Sequence, residues 1–399
     1  MTQARRKITA EERRARLGAR HLLAPTARAA SSEEVVEGVL ALHATDPASV
    51  HLSVAARLRG PSVADLERAL YEDHTLVRML CMRRTMFVVP RELAPVVDAS
   101  TARAVAARER RNLIRDIQGQ LGFDDRWFAA TEKAVLAALG RRGEATAAQI
   151  ADEVPDLKSK IVAGAGKPYE SRPRITSRFL GVMAAEGRIR RGRPLGTWAS
   201  SQYRWIPAEP HPELPLDEAK ARLAARYLES FGPVATEDVK WWTGWTLTDT
   251  RKALAATDAV EVDLDSGPGY ALPAHLDAPA EPEPWAALLP ALDPTPMGWR
   301  HRDWYVDADH RAQLFDTNGN IGPTVWWNGR VVGGWGQRAD GEIVTELLPL
   351  AGARSRSGAG VGREARVAIE GEVERVRGFF GDVRIRPSFR TPLERRLAS

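Results

Sequence analysis

The sequence predicts an α+β protein in which a group of helices followed by a β-hairpin occurs three times, ahead of a β-rich C-terminal region. Segments with helical apolar spacing recur in groups, and each group is followed by two short strand-like segments joined by a turn. Beyond residue 286, strand-like segments alternate with Asn-Gly and Asp-Gly turns. The expected domains are residues 1–125, 126–208, 209–285 and 286–399.

The first group begins at Ser31, which has capping-box spacing to Glu34 ahead of apolar residues at helical spacing. We expect this helix to include Leu42 and to be ended by Pro47, because proline disrupts a helix interior. The remaining elements of the group are helices over residues 50–58 and 61–70 and a hairpin over residues 76–89.

The same order of elements is expected twice more. The second group has helices over residues 131–139, 146–154 and 174–185, then strands over 188–191 and 197–206. The third has helices over residues 215–228, 236–242 and 248–255, then strands over 259–264 and 269–272 around a Gly267-Pro268-Gly269 turn. Residues 273–284, rich in Pro, Ala and Glu, indicate a connector or an exposed loop.

The C-terminal region is expected to be mainly strand. Its predicted strands cover residues 314–316, 323–327, 330–335 and 343–348, and a closing helix covers residues 363–379. We assign most of the twelve tryptophans to packing contacts, since large aromatic side chains fill cores and domain contacts.

Composition narrows the class of protein. The 57 Lys and Arg exceed the 52 Asp and Glu by only 5, so a basic surface has to come from clustering. The one cysteine, Cys81, excludes an internal disulfide, and the eight histidines lack metal-ligand spacing, so we expect no metal and no cofactor. No segment has the character of a signal peptide or a membrane span, which predicts a cytoplasmic protein associated with the nucleoid.

Arginines concentrate on the last helix and hairpin of the second group. Seven of them accompany a single acid, Glu186, and they are Arg172, Arg174, Arg178, Arg188, Arg190, Arg191 and Arg193. Three helices and a hairpin form a winged-helix module, in which the third helix and the hairpin contact nucleic acid. The alternative is a solvated charged face, but the position of the cluster favours phosphate contacts with DNA.

Two further basic stretches are less specific. Residues 103–115 carry five arginines on a helical segment that also holds Glu109, and we use them only as support. Lys158, Lys160 and Lys167 lie in a glycine-containing loop that either crosses a nucleic-acid backbone or is a solvated insertion.

Four segments resemble the AlkZ-like winged-helix DNA glycosylases over nearly the whole chain. They are Leu42–Pro47, Arg84–Pro90, Met297–Tyr305 and Gly319–Arg330. The resemblance implies three tandem winged-helix modules that form a concave basic surface for duplex DNA. It also implies excision of bulky N7-alkylpurines, with unhooking of interstrand crosslinks in some members, for repair or for self-resistance to a genotoxin.

The resemblance places the active-site pair at His43 and Thr45, where the family commonly has Gln-x-Gln or a variant ending in Asp. The sequence departs from both patterns. On a regular helix these two positions point apart, so we expect them to converge at a helix end made by Pro47, with Asp46 shaping that end. Without the resemblance, a hydrogen-bonded, half-buried histidine would be the favoured interpretation of His43.

The expected reaction is simple hydrolysis. Alkylation at N7 makes the purine a good leaving group, so the main task is to place water. We expect His43, with an ordinary pKa near ~6.5, to orient or deprotonate that water while Thr45 positions it. The motif offers no lysine nucleophile, so no strand-cutting step is expected.

The predicted partner is duplex DNA with alkylated purines, bound by a monomer. The predicted DNA contacts are Arg84, Arg172, Arg174, Arg178, Arg190, Arg191, Arg193 and Arg338. The element that enters the DNA is either the Asn318-Gly319 turn or the turn over residues 338–341. Two rivals remain, a non-catalytic winged-helix regulator or DNA-protecting protein, and a protein-interaction scaffold, which would lack a salt-dependent affinity for phosphates.

Overall fold

A computed structural model of the chain describes residues 5–279, 283–349, 361–385, 387 and 390–399. It begins with β1 (Lys7–Ile8) and α1 (Ala10–Arg20), and Thr9 and Glu12 form a capping box at the start of that helix. Residues 1–4 of the first expected domain lie outside the described residues. Both helices and small sheets are present, which confirms the α+β class.

The first group contains a strand that the sequence did not predict. Its elements are α2 (Ser32–Gly38), β2 (Leu42–His43), α3 (Pro47–Ala55), α4 (Val63–Tyr71), β3 (Leu76–Leu80) and β4 (Met86–Pro90), with sheet order β2-β4-β3. The expected helix through Leu42 to Pro47 is therefore wrong. Pro47 is instead the first residue of α3, where its missing N–H costs no hydrogen bond and Asp46 caps the helix.

The second group follows two further helices. Those are α5 (Ala94–Val97) and α6 (Arg103–Leu121), and the group itself consists of α7 (Asp125–Arg142), α8 (Ala147–Glu153), α9 (Thr176–Ala185), β5 (Ile189–Pro194) and β6 (Tyr203–Pro207). Leu113 and Ile117 of α6 are buried in the same core as Phe179 of α9. Helix α6 therefore packs with the second group, although it lies ahead of residue 126 in the chain.

The third group consists of α10 (Leu216–Phe231), α11 (Thr236–Thr243), α12 (Leu247–Ala255), β7 (Val260–Leu264) and β8 (Gly267–Ala271). Its hairpin turns at residues 265–266, so the expected turn through Gly267-Pro268-Gly269 is wrong by two residues. Strand β1 pairs in parallel with β7, which attaches the N-terminal segment to this group. Residues 280–282 of the expected connector lie outside the described residues.

The C-terminal region holds an antiparallel sheet of order β12-β11-β10-β9. Its elements are β9 (Ala286–Leu289), α13 (Pro294–Met297), α14 (Arg311–Leu314), β10 (Thr324–Trp327), β11 (Arg330–Gln337), β12 (Ile343–Leu347), α15 (Arg363–Phe380) and α16 (Pro392–Leu397). The strand expected over 314–316 is wrong, since α14 ends there. Strand β9 and helix α16 were not predicted from the sequence.

Nine of the twelve tryptophans are buried, which confirms that most serve packing. Trp285, Trp299 and Trp326 belong to one large apolar core, which also contains Phe87 of the first sheet and Leu223 of α10. That core joins the first group, the third group and the C-terminal sheet. Among the helices of the described ranges, none combines the length and apolar character required of a membrane span.

Candidate active site and nucleic-acid interface

His43 ends the short strand β2, and Thr45 lies two residues further on, where the chain bends before α3. Leu42 and Ala44 are fully buried in the core formed by the helices of the first group. Because side chains alternate along a strand, the His43 side chain projects to the face opposite Leu42. The expected helix end at Pro47 is wrong, because Pro47 begins α3, and a convergence of His43 with Thr45 remains a prediction.

The His43 imidazole is held as a neutral group. It is half-buried against Phe87, with ring centroids 5.3 Å apart, and its Nδ1 is enclosed without a hydrogen-bond partner from the ranges that the structure describes. Burial, assisted by the nearby positive charge of Arg83, lowers the pKa of His43 to about 3. The ordinary pKa that the sequence analysis assumed is therefore wrong for this environment, and an imidazole this weakly basic is poorly suited to take a proton from water.

Thr45 is exposed and lines a cavity of about 180 Å³, which we call the Thr45 cavity. Three parts of the chain that are distant in sequence meet there. The lining residues are Thr45, Asp46, Pro47 and Ser49; Ala199 and Ser201; and Ala291, Leu292, Asp316, Asn320, Ile321, Gly322, Pro387, Arg390 and Thr391. The cavity therefore joins the start of α3 to the β5–β6 connection and the C-terminal region.

Burial raises the pKa of two carboxyl groups in this region, Asp46 and Glu394. Asp46 Oδ1 accepts a hydrogen bond from the Ala48 amide at 2.9 Å, and burial raises the pKa of Asp46 above its ordinary value. Burial also raises the pKa of Glu394 to about 7, and the charge of Asp46 adds to that rise. Glu394 Oε2 is enclosed and has no hydrogen-bond partner among the described residues.

Four of the eight predicted DNA-contact arginines meet around a second cavity of about 340 Å³, which we call the arginine cavity. Arg84 comes from the turn of the first hairpin, and the others from the last helix and hairpin of the second group. The four are Arg84, Arg178, Arg190 and Arg191. The structure thus brings the hairpin of the first group against α9 and β5 of the second.

The other four predicted arginines lie elsewhere. Arg172 and Arg174 are exposed in the segment before α9. Arg193, at the end of β5, forms ion pairs with Glu67 and Glu72 of the first group, at 2.6 and 2.7 Å. Arg338 lies in the turn between β11 and β12 and pairs with Glu342. It is not among the described residues that line the arginine cavity.

Of the four predicted arginines at the arginine cavity, two have a carboxylate partner and two have none among the described residues. Arg84 pairs with Glu109 at 2.8 Å, and Arg178 with Asp116 at 2.9 Å. Arg191 stacks on Tyr203, 4.5 Å from the ring centroid, and Arg190 Nε has no hydrogen-bond partner in the part of the chain that the structure describes. Exposed ion pairs contribute little stability, so phosphates can replace these carboxylates at small cost.

Two further arginines stack on Trp241: Arg83, which was not predicted from the sequence, and Arg302, which the sequence offers only as a weaker candidate for phosphate contact. Arg83 has a left-handed backbone, with φ of 53°, and its guanidinium lies 4.0 Å from the centroid of Trp241. The Arg302 guanidinium lies 5.0 Å from the same ring. Within the described ranges neither arginine has a carboxylate partner. Arg83 directly precedes the Arg84–Pro90 segment in the sequence. Trp241 and Arg302 are distant in the sequence and meet Arg83 only in the folded protein.

Of the two turns considered for entry into DNA, one lies at the Thr45 cavity. Asp316 and Asn320 flank the Asn318-Gly319 turn and both line that cavity. The other turn, over residues 338–341, contacts Arg384, which donates a hydrogen bond to the Asp340 carbonyl at 2.8 Å. The first turn is therefore the one placed beside Thr45.

Comparison with known proteins gives a consistent result. Residues 36–379 match the family model described as "DNA glycosylase AlkZ-like". A curated relative, the interstrand DNA cross-link repair glycosylase of Streptomyces sahachiroi, is 30% identical over 148 residues, which cover 34% of this chain and 40% of the relative. The aligned part thus spans less than half the length of that relative.

The solved structures add a fold comparison. The DNA glycosylase AlkZ of Streptomyces sahachiroi superposes with a TM-score of 0.68 at 20% identity, over 93% of this chain and 97% of that chain. At this identity the similarity concerns the fold.

Proposed function

Since the match over residues 36–379 makes this chain a member of the DNA glycosylase AlkZ-like family, we propose that it hydrolyses the N-glycosidic bond of bulky N7-alkylated purines in duplex DNA. The observation that carries the proposal is the position of His43 and Thr45. His43 ends strand β2, and Thr45, two residues further along the chain, lines a cavity at the junction of three parts of the chain.

The DNA-binding part of the proposal rests on the order of elements. Each of the three groups ends in a two-stranded hairpin after its helices, which supports three tandem winged-helix modules. The arginine cavity lies between the hairpin of the first module and the third helix of the second. A duplex that contacts both modules would lie against these guanidinium groups, and the affinity would fall as the salt concentration rises.

The proposed mechanism follows from the neutral state of His43. Its imidazole acts as a hydrogen-bonding group toward water or the deoxyribose, and the Thr45 hydroxyl orients the same water. No lysine is among the described residues that line the Thr45 cavity, which supports release of the base without strand cleavage. The leaving purine takes the electrons of the broken bond, since N7 alkylation has already made it cationic.

Bulky adducts and crosslinks cannot rotate easily into an enclosed pocket, so the enzyme has to meet the lesion in the groove. We assign the Asn318-Gly319 turn to this role because it flanks the Thr45 cavity. The name of the Streptomyces relative extends the proposal to crosslinks. An enzyme of this kind would serve DNA repair or self-resistance, acting as a monomer on one lesion.

The deciding experiment is mass-spectrometric detection of a modified guanine released from N7-alkylated duplex DNA. Wild-type protein should release the base, and His43→Ala should still bind the duplex but release much less. A wild-type protein that releases no base from any N7-alkylated duplex, yet binds it with a steep salt dependence, would instead favour a DNA-protecting protein. The low pKa of His43 supports this second function, because so weakly basic an imidazole is poorly suited to take a proton from water.

A further inference from the structure

Two carboxylates, Asp46 and Asp316, line the Thr45 cavity, and they differ in the hydrogen bonds that their oxygens accept. Asp316 Oδ1 accepts hydrogen bonds from the amides of Asn318 and Asn320, both at 2.8 Å, while its Oδ2 accepts one from the Asn320 side chain at 2.9 Å. These bonds lower the pKa of Asp316. Both of its oxygens are therefore occupied, and the carboxylate is a weakened base.

Asp46 has one oxygen fixed and one available. The Ala48 amide holds Oδ1 at 2.9 Å, and Oδ2 receives no hydrogen bond from any residue of the described ranges. Pro47 at the first position of α3 restricts the backbone beside it, so the carboxylate is held in place. Fixing a catalytic group before the substrate arrives reduces the entropy cost of reaching the transition state.

Neither His43 nor Thr45 is a suitable acceptor for the proton that the attacking water releases in the proposed hydrolysis. The His43 imidazole is too weakly basic in its buried position, and an alcohol such as Thr45 does not accept a proton at neutral pH. We propose that Asp46 is a catalytic residue whose free Oδ2 takes the proton from the water that attacks the deoxyribose; this inference rests on the proposed function.

The step balances without any further reactant. The water oxygen forms a bond to C1′ of the deoxyribose as the C1′–N9 bond breaks. The electron pair of that bond goes to the purine ring and neutralises its positive charge. One proton of the attacking water stays on the new C1′ hydroxyl group, and the other passes to Asp46. Before that transfer, the negative charge of Asp46 also stabilises the positive charge that develops on the sugar in the transition state.

The charged groups around Asp46 are consistent with this role. Arg78 of β3 lowers the pKa of Asp46, whereas burial raises it above the ordinary range. Arg390 lines the cavity, and Glu394 of α16 lies close enough to respond to the charge of Asp46. Burial of Asp46 makes its carboxylate a stronger base than that of an exposed aspartate.

The test uses Asp46→Asn, because asparagine caps a helix about as well as aspartate but cannot accept the proton. Asp124→Asn is the matched control, since Asp124 caps α7 by accepting from the Trp127 amide at 2.9 Å and is absent from the described lining of the Thr45 cavity. The full-length proteins are compared on a duplex oligonucleotide carrying one N7-benzylguanine, by single-turnover base release, DNA binding and thermal unfolding.

We expect Asp46→Asn to lose base release by about 100-fold or more, as for removal of a general base, with DNA binding and unfolding close to wild type. Asp124→Asn should release base normally. The wild-type rate should fall in acid as Asp46 is protonated, with Arg78, Arg390, Glu394 and Asp316 as its charged neighbours, and the asparagine variant should lack that dependence.

The outcomes separate the two proposals. If wild type releases base and Asp46→Asn does so at the same rate, the assignment of Asp46 is overturned while the glycosylase proposal stands. If Asp46→Asn is slow only because it unfolds or no longer binds DNA, the carboxylate is structural and the assignment is again overturned. If wild type releases no base, the glycosylase proposal fails and the inference fails with it.

Discussion

Arg57 and Asp293 form a two-pronged ion pair in which neither side chain is exposed to solvent. The two guanidinium nitrogens lie 2.8 and 2.7 Å from the two carboxylate oxygens. Arg57 follows α3, and Asp293 caps α13, so the pair joins the helix that starts at the Thr45 cavity to the C-terminal region. The relative placement of the two walls of the cavity depends on this contact.

We expect Asp293→Asn to destabilise the protein strongly, because asparagine keeps the helix cap but leaves the Arg57 charge buried and unpaired. Breaking one partner of a buried pair costs about 3–5 kcal/mol. Glu374→Gln is the control, since it breaks an exposed pair with Arg377, also at 2.7 Å, and should cost less than about 1 kcal/mol. Denaturant unfolding measures both, and equal effects would contradict the prediction.

The neutral state of His43 predicts that glutamine can replace it. A neutral imidazole and a carboxamide both donate and accept hydrogen bonds, so His43→Gln should keep base release within about tenfold of wild type. His43→Ala should lose about 100-fold, as for removal of one stabilising hydrogen-bond group. Single-turnover release measures both rates. Equal, severe losses in the two variants would mean that His43 acts through its basicity.

Buried histidines predict a loss of stability in acid. Burial lowers the pKa of His51 to about 4 and that of His21 to about 3. In the unfolded chain each has a pKa near ~6.5, so below that pH the unfolded state binds more protons than the folded state. Their stabilising effect is complete above about pH 6.5 and is lost as the pH falls toward the folded-state pKa, by up to about 1.4 kcal/mol per pH unit for each histidine.

The measurement is denaturant unfolding from about pH 7 to about pH 4. His51→Gln should flatten the acid side of the stability profile, because one of the protons taken up on unfolding is removed. His301→Gln, which changes an exposed histidine, is the control and should leave the profile unchanged. An unchanged slope in His51→Gln would contradict the predicted neutral state.

The arginine cavity predicts a change in salt dependence. Arg190→Ala and Arg191→Ala should each reduce the slope of log affinity against log salt concentration by about 0.9, since each removes one phosphate contact. Fluorescence anisotropy with an undamaged duplex measures the slope. Arg377→Ala, on α15, should leave it unchanged, and an equal reduction there would show that the effect reflects net charge alone. Arg338→Ala tests whether the 338–341 turn also reaches the DNA.

Local sequence signals predicted the helices and hairpins well. Ser31 and Thr146 cap helices where the sequence indicated their starts, and the first hairpin lies where it was expected. Strand β2 was missed because it has only two residues and is defined by its pairing with β4, which is distant in the chain. Pro47 was misinterpreted because a proline is equally compatible with the end of one helix and the first turn of the next.

The site could be predicted only in part for the same reason. The resemblance indicates His43 and Thr45, but the cavity that Thr45 lines is completed by residues from 199 onward. Local sequence patterns cannot show that Trp241 lies against Arg83. They also cannot show that Asp46 Oδ2 receives no hydrogen bond from the described residues. The pKa of His43 likewise depends on burial by distant segments, and composition carries no information about it.

The parallel pairing of β1 with β7 means that the beginning of the chain completes the third hairpin. Lys7 and Ile8 lie beside Asp263 and Leu264, and the Asp263 amide donates to the Arg6 carbonyl at 2.9 Å. A shortened protein that starts after Ile8 would leave an unpaired edge on a sheet some 250 residues away in sequence. Removal of these few residues should therefore weaken the third hairpin, although those that the structure describes line neither cavity.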